Sequence, residues 1–131
     1  MIDATMSVLE KALDLRMKAH AVHTSNVANA NVPDYKAKSI DFDARMREAL
    51  QALDSNEPRL RREAETAQDI SQVEADIYED PLAKPSGDGN TVNMDKEQTE
   101  IAKNTIGYEG AIQLLNKKFA LERQVLSEGG R

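Results

Sequence analysis

Cysteine is absent from the 131 residues, which excludes disulfides and thiolate chemistry and leaves the chain compatible with an oxidising or a reducing compartment. Tryptophan is absent as well, and Phe42, Phe119, Tyr35, Tyr78 and Tyr108 are the whole aromatic complement, too few large fillers for a bulky globular core. No apolar run approaches the length of a membrane span. The first residues, Met1-Ile-Asp3-Ala-Thr-Met6, carry an acid, no early basic cluster and spaced apolar positions. They do not read as a Sec-type signal peptide, so a protein working outside the cytoplasm would leave by a route that reads no cleaved leader. A phosphate loop, a dinucleotide fingerprint and a nucleophile elbow are also missing. What is present in quantity is Leu, Ala, Glu, Lys, Arg and Met, the vocabulary of long helices packed along their lengths, in a chain sized for one folding unit.

The net charge of −6 disfavours non-specific nucleic-acid binding, and its location says more than its size. Between Asp54 and Asn90 lie ten acids and four bases, whereas the rest of the chain holds thirteen of each. The two ends are therefore neutral and free to pack against like copies, and the middle is acidic and solvated.

Apolar residues from the N-terminus fall at Ile2, Met6, Leu9, Leu13, Met17, His20, Thr24 and Val27, in steps of three and four. A second stripe runs beside them through Val8, Ala12, Leu15, Ala19 and Val22. Two adjacent stripes make a buried face wider than a two-stranded coiled-coil seam needs. The pattern stops at Asn26-Val-Ala-Asn29-Ala-Asn31-Val-Pro33-Asp-Tyr35-Lys36. Asn tolerates the left-handed conformation that closes helices and Pro33 pushes Val32 out of the helical region, so the helix should end near Ala30 to Val32. The amides of Asn26 and Asn29, three residues apart, can bond the free carbonyls of the helix end or the backbone of a neighbouring chain.

After this stop, Phe42, Met46, Ala49 and Leu53 form the narrow face of a short helix, with Ser39 or Asp41 as its cap. From Asp54 to Gly89 periodicity fades. Pro58, Pro81, Pro85, Gly87 and Gly89 interrupt isolated apolar residues that give scattered strand or hairpin possibilities at best. Asn93 then makes a good N-cap, and Asp95 with Glu97 sets acids in a first turn, where the helix dipole favours them. From there a stripe runs through Met94, Gln98, Ile101, Thr105, Tyr108, Ile112, Leu115, Phe119, Glu122 and Leu126, widened by Ala111, Leu114, Leu121 and Val125 and closed by Gly129 and Gly130. Two long helices of equal length joined by a polar excursion form an antiparallel hairpin.

Chemistry-bearing pairs are few, and each has a plainer reading. His20 and His23 are three apart on a helix, a geometry that can hold a metal, but no acid one turn away completes a site, and both read as ordinary helix residues. Asp41 with Asp43, and Glu74 with Asp76, lie in polar stretches with no apolar frame for a pocket. Asp88-Gly89-Asn90 starts like a calcium loop without the later oxygen ligands or terminal Glu. No catalytic residue, metal, cofactor, nucleic acid or small-molecule substrate is assigned from these residues.

Three segments carry a likeness: the Asn26 to Lys36 stretch followed by Ile40-Asp-Phe42, the stretch Gly89-Asn90-Thr-Val92-Asn93-Met94-Asp95-Lys96-Glu97, and Leu115-Asn116-Lys117-Lys118-Phe119. On them the chain resembles the flagellar axial protein family, and within it the proximal-rod members. The family pattern at the first segment is close to Asn-Ile-Ala-Asn-Ala-x-Thr-Pro-Gly-Tyr-Lys. Asn26, Ala28, Asn29, Pro33, Tyr35 and Lys36 match it, while Val32 stands for Thr and Asp34 for Gly, whose dihedrals Asp reaches at a cost. The likeness covers most of residues 1–53 and 88–127 and none of the acidic middle.

The resemblance implies a structural, non-enzymatic subunit of the basal-body rod in the periplasmic space, transmitting motor torque and enclosing the export channel. It implies export unfolded through the flagellar type III apparatus, and partners among other copies, other rod proteins and the membrane ring or export-gate complex at the rod base. A soluble helical adaptor or export-chaperone-like protein that binds a partner helix would use the same stripes.

The fold expected is all-α, with two long terminal helices paired as an antiparallel coiled-coil hairpin, a short helix after the first and an irregular acidic middle. The divisions expected are 1–32 and 91–131 for the paired helices, 33–53 for the motif loop and short helix, and 54–90 for the insert. The assembly motif is Asn26, Ala28, Asn29, Asn31, Pro33, Tyr35 and Lys36. The assembly interface is Ile2, Met6, Leu9, Leu13 and Val27 on the first helix, and Ile101, Tyr108, Ile112, Leu115, Phe119 and Leu126 on the last.

Overall fold

A computed structural model describes residues 3–53 and 59–130, with the side chains of Leu53 and of residues 59–64 outside the description. Helix α1 spans Ala4–Ala28. Asp3 caps it, accepting the Met6 N–H at 2.8 Å, and so satisfies one of the donors that a helix start leaves open. At the other end Asn29 closes the helix, its amide donating to the Ser25 carbonyl at 2.7 Å while its backbone N–H reaches Ser25 and Asn26. The stop therefore falls at Ala28, two to four residues earlier than proline placement alone predicts.

Strand β1, Lys38–Ile40, leads into α2, Phe42–Leu53, then α3, Arg59–Ser71, and strand β2, Ile77–Glu79. The strands pair antiparallel in the register Lys38 to Glu79, Ser39 to Tyr78 and Ile40 to Ile77. Asp41 stands immediately before α2, and its carboxylate accepts from Arg45 at 2.7 Å and from the Asp76 N–H at 2.9 Å, tying the start of α2 to the approach to β2. Residues 59–79 of the middle segment are thus largely regular, where the sequence pattern indicates an irregular excursion. The reason is the face of α3 and the turn after it: Thr66, Ile70 and Val73 are buried, only three positions among many charges, yet sufficient to dock. Val8, Ala49, Ile70 and Val73 form one buried cluster, with Ala4, Met46 and Ala52 against it.

Helix α4 spans Met94–Gly129, on the order of 54 Å at 1.5 Å per residue, against about 37 Å for α1. The two are unequal, contrary to the expectation of matched lengths. Asn93 caps α4, accepting the Lys96 N–H at 3.2 Å, with Asp95 and Glu97 in its first turn. The pair is antiparallel: Glu97 meets His23, Asn104 meets Arg16 and Lys118 meets Asp3. α1 packs along α4 more extensively than any other two elements pack, and the same helix takes α2 and α3. The fold is all-α in character, with one two-stranded ribbon among the described residues. No helix among the described residues is long and apolar enough to cross a membrane.

Candidate functional site

The asparagine-rich turn is built by hydrogen bonds to distant backbone. Asn26 is fully buried; its amide donates to the Lys38 carbonyl at 2.7 Å and its side-chain oxygen accepts the Lys38 N–H at 2.9 Å. One side chain thus takes the place of a neighbouring strand, at the point where α1 gives way to β1. The Tyr35 hydroxyl lies 3.4 Å from the same oxygen. From the far side, buried Asn90 donates to the carbonyls of Asn29 at 2.9 Å and Val32 at 2.7 Å, covering acceptors that the end of a helix exposes. Thr91 accepts the Ala37 N–H at 2.8 Å, and Lys36 reaches the Gly89 carbonyl. Of the motif residues, Asn26, Asn29, Tyr35 and Lys36 make this joint, while Ala28, Asn31 and Pro33 face solvent.

Asp34 sits at φ +59° and Gly89 at φ +81°, with the Asp34 N–H bonded to the Asp88 carbonyl at 3.0 Å. Asp34 is the one non-glycine residue in the left-handed region among the described residues, at the position where the resembling family carries Gly. A methyl at Gly89 would run into the Asp34 carboxylate, so the second strand of the turn has room only for glycine. Asp88 accepts from Ser86 and from the Asn90 N–H, which hold its carboxyl below the ordinary value.

Below the turn, the seam between α1 and α4 is partly polar. Glu97, Asn104 and Ala111, seven residues apart, are the buried positions of α4. Buried His23 and Glu97 are bonded at 2.7 Å, and Asn104 donates to the Arg16 carbonyl at 2.7 Å. Arg16 lies 4.3 Å over the Phe42 ring and against Gly107, where a methyl would strike the guanidinium. Burial pulls Arg16 below its ordinary value, opposed by Asp43. A groove of about 570 Å³ between the helical pair and the ribbon is framed by Arg16, His23, Phe42, Tyr78, Lys96 and Asn104. Its titratable groups include two already engaged: Lys96 is paired with Asp80, and His23 with Glu97. His20, exposed where His23 is buried, lines a second groove of about 270 Å³ with Met17 and Tyr108. Among the described residues, no three His, Asp or Glu side chains gather to hold a metal ion.

Along α1 the chain covers the second stripe, Val8, Ala12, Leu15, Ala19 and Val22. The first stripe emerges into solvent: Met6 is buried, Leu9, Leu13 and Val27 are half-buried, and Met17, His20 and Thr24 are exposed. Ile2 lies outside the described residues. On α4, Ile101, Tyr108, Ile112 and Leu115 are half-buried, while Phe119 and Leu126 are exposed together with Leu114, Leu121 and Val125. Beyond Lys118, which faces the cap of α1, α4 runs eleven further residues to Gly129. Sequence reading missed the seam residues Glu97 and Asn104 because they are polar; their seven-residue spacing opposite His23 and Arg16 is the signal that would have found them.

No protein-family profile matches the chain. Curated relatives do. The chain is 40% identical over 119 residues to the flagellar basal body rod protein FlgB of Cereibacter sphaeroides, covering 88% of each. It is 31% identical over 133 residues to FlgB of Escherichia coli K12, covering 98% of this chain and 96% of the relative. Against FlgB of Salmonella typhimurium LT2 the identity is 29% over 142 residues, with 98% and 96% covered.

Proposed function

The chain belongs to the FlgB family of flagellar basal body rod proteins, and from that premise we propose that it is a proximal-rod subunit whose α1–α4 pair is completed by neighbouring subunits. It is a structural component of the basal body rod, associated with other rod components. The observation that carries the finer reading is the end of α4, where Phe119, Leu121, Val125 and Leu126 stand exposed on a segment that α1 does not reach. Exposed apolar side chains in a row mark a surface that another chain covers.

The work is mechanical instead of catalytic. Each subunit buries part of its stripes within its own hairpin and part against neighbours, in a head-to-tail contact whose rotation does not close and therefore propagates as a helix. Burial repeated over many copies stiffens the shaft that carries torque and surrounds the export channel. Ile2, Leu9, Leu13, Val27, Ile101, Tyr108, Ile112, Leu115, Phe119 and Leu126 supply the interface, whereas Met6, buried within the chain, serves its own core, and the Asn26 to Lys36 turn fixes the angle at which the ribbon leaves the pair. Export through the type III apparatus, and seating on the membrane ring or export-gate complex in the periplasm, belong to the same reading.

Cryo-electron microscopy of purified basal bodies tests it. The expected result is density at the base of the rod that accepts the α1–α4 pair, with the last turns of α4 against a neighbour. A chain recovered only in the soluble fraction, bound to one partner, would overturn it.

A further inference from the structure

The ribbon has two outer edges, and the chain closes one of them. The N–H and carbonyl of Lys38 point away from β2 and are both taken by the buried Asn26 side chain. Lys38 and Glu79 are therefore a pair of the ladder that exchanges no hydrogen bonds, whereas the Asp80 N–H reaches the Ala37 carbonyl at 2.9 Å. By the same alternation the N–H and carbonyl groups of Ile77 and Glu79 point outward from β2, where they have no partner among the described residues. All three residues of β2 are exposed, Ile77 by 55% and Tyr78 by 44%. An open strand edge with apolar side chains is a template for a further strand.

The edge also carries charge of one sign. Between Arg62 and Lys84 the sequence has no Lys, Arg or His, and Glu74, Asp76, Glu79 and Asp80 lie in and around β2. Asp76 is engaged by Arg45 and Asp80 by Lys96. Glu74 and Glu79 are exposed and make no ion pair among the described residues. That charge selects the occupant. Strand β2 of a second copy would bring the same acids against each other, which destabilises a strand pair. The basic extended stretch of this chain, Lys36 to Lys38, is spent in the joint, Lys36 on the Gly89 carbonyl and the Lys38 backbone on Asn26. From the inner side, β1 shows what β2 accepts: a base, Lys38, opposite Glu79 and an apolar residue, Ile40, opposite Ile77.

We propose that the outer edge of β2 takes an extended segment of a different protein as a third strand, with a lysine or arginine opposite Glu79 and an apolar residue opposite Ile77. The four outward backbone groups supply the hydrogen bonds of such an addition, and the two side chains supply its selectivity. The rod reading leaves this surface unassigned, and binding at it is measurable on the isolated chain.

Titration of the isolated full chain with a short capped peptide of alternating Lys and Val, followed by amide NMR, tests the proposal. The amides of Ile77 and Glu79 should shift most. The same peptide with Glu in place of Lys should bind at least about fivefold more weakly, and Glu79→Lys should reverse that preference. Methylating the peptide's outward amides keeps its charge but removes its donors, and should weaken binding about tenfold. Glu79→Lys leaves the β1 ladder untouched, so the melting temperature of the chain should not fall. Equal binding of the methylated peptide, shifts spread over the acidic surface without Ile77 and Glu79, or self-association of the chain through β2 would each overturn the proposal. In purified basal bodies, a photoreactive residue in place of Ile77 should cross-link to an extended segment of another protein with a base two positions from the attachment. A cross-link only to a helix, or only to β2 of another copy, would contradict it. Absence of the chain from basal bodies would overturn the rod reading and leave the peptide result standing.

Discussion

Residues 94–118 of α4 and its last eleven residues differ in how they are held. The first part is pegged to the rest of the chain at intervals: Glu97 to His23, Asn104 to Arg16, Lys118 to Asp3, with the buried joint of Asn26 and Asn90 just above. Among the described residues, the side-chain hydrogen bonds of 119–129 stay within the helix, from Gln124 to Glu128 and from Ser127 to the Gln124 carbonyl. Yet both parts carry the same apolar spacing. Polar pegs fix register because a buried donor or acceptor left alone costs more than a lost contact, while apolar residues alone leave a helix end available to another chain. On the proposed reading, the difference separates what this chain completes by itself from what it leaves for its neighbours.

Removing pegs should therefore cost folding, and removing apolar residues from the tail should not. The largest loss is expected for Asn26→Ala, about 3 kcal/mol in urea or thermal unfolding, because both the N–H and the carbonyl of Lys38 lose their partner. Glu97→Ala, which strands buried His23, should cost about 2 kcal/mol in the same measurement. Acid should act next. The Asp80 carboxyl is held low mainly by Lys96, with burial opposing; at Asp3 burial pushes the carboxyl up, but Lys118 and the Met6 N–H together outweigh it. Their stabilisation is present above the ordinary value of 3.8 and is lost as the pH falls through the depressed folded values. Melting temperature should accordingly drop below about pH 4, by an amount equivalent to about 1 kcal/mol or less for these partly exposed pairs. On the alkaline side, Lys96, raised above 10.5 by Asp80, should keep its contribution until the pH passes that value.

Leu121→Ala sharpens the comparison from the other side. It should change the stability of the isolated chain by about 0.5 kcal/mol or less while reducing incorporation into basal bodies; a large loss of stability would show the tail to be packed within the subunit. The smallest effect is expected at the turn. Asp34→Gly relieves a left-handed residue and should stabilise by about 0.5 kcal/mol, the strain released exceeding the added freedom of the unfolded chain.

Much of this architecture was legible because its signals are local. The Asn93 cap with Asp95 and Glu97, the stop after Asn26, and the three-and-four spacing of both long helices all depend on residues within a turn or two of each other. The cost expected of Asp at position 34 also has its counterpart in the φ of +59°. What escaped depends on distant partners. Asn90 is an unremarkable turn residue until Asn29 and Val32, some 60 residues away, come beneath its amide. Glu97 and Asn104 break an apolar pattern unless His23 and Arg16 are known to face them. Helix α3 was hidden because three buried positions, Thr66, Ile70 and Val73, carry its docking amid a strongly charged sequence. At the end of α1, Asn29 turns its own amide onto the Ser25 carbonyl, a local bond, while Asn90 holds the Asn29 and Val32 carbonyls from the far side.

Hydrogen exchange resolved along α4, in the dilute isolated chain and in purified rods, tests the division between pegged and open parts most directly. The account predicts slow exchange for residues 97–111 in both states, and fast exchange for 119–129 in the isolated chain that becomes slow in the rod. Equal protection of both parts in the isolated chain, or unprotected last turns in the assembled rod, would contradict it.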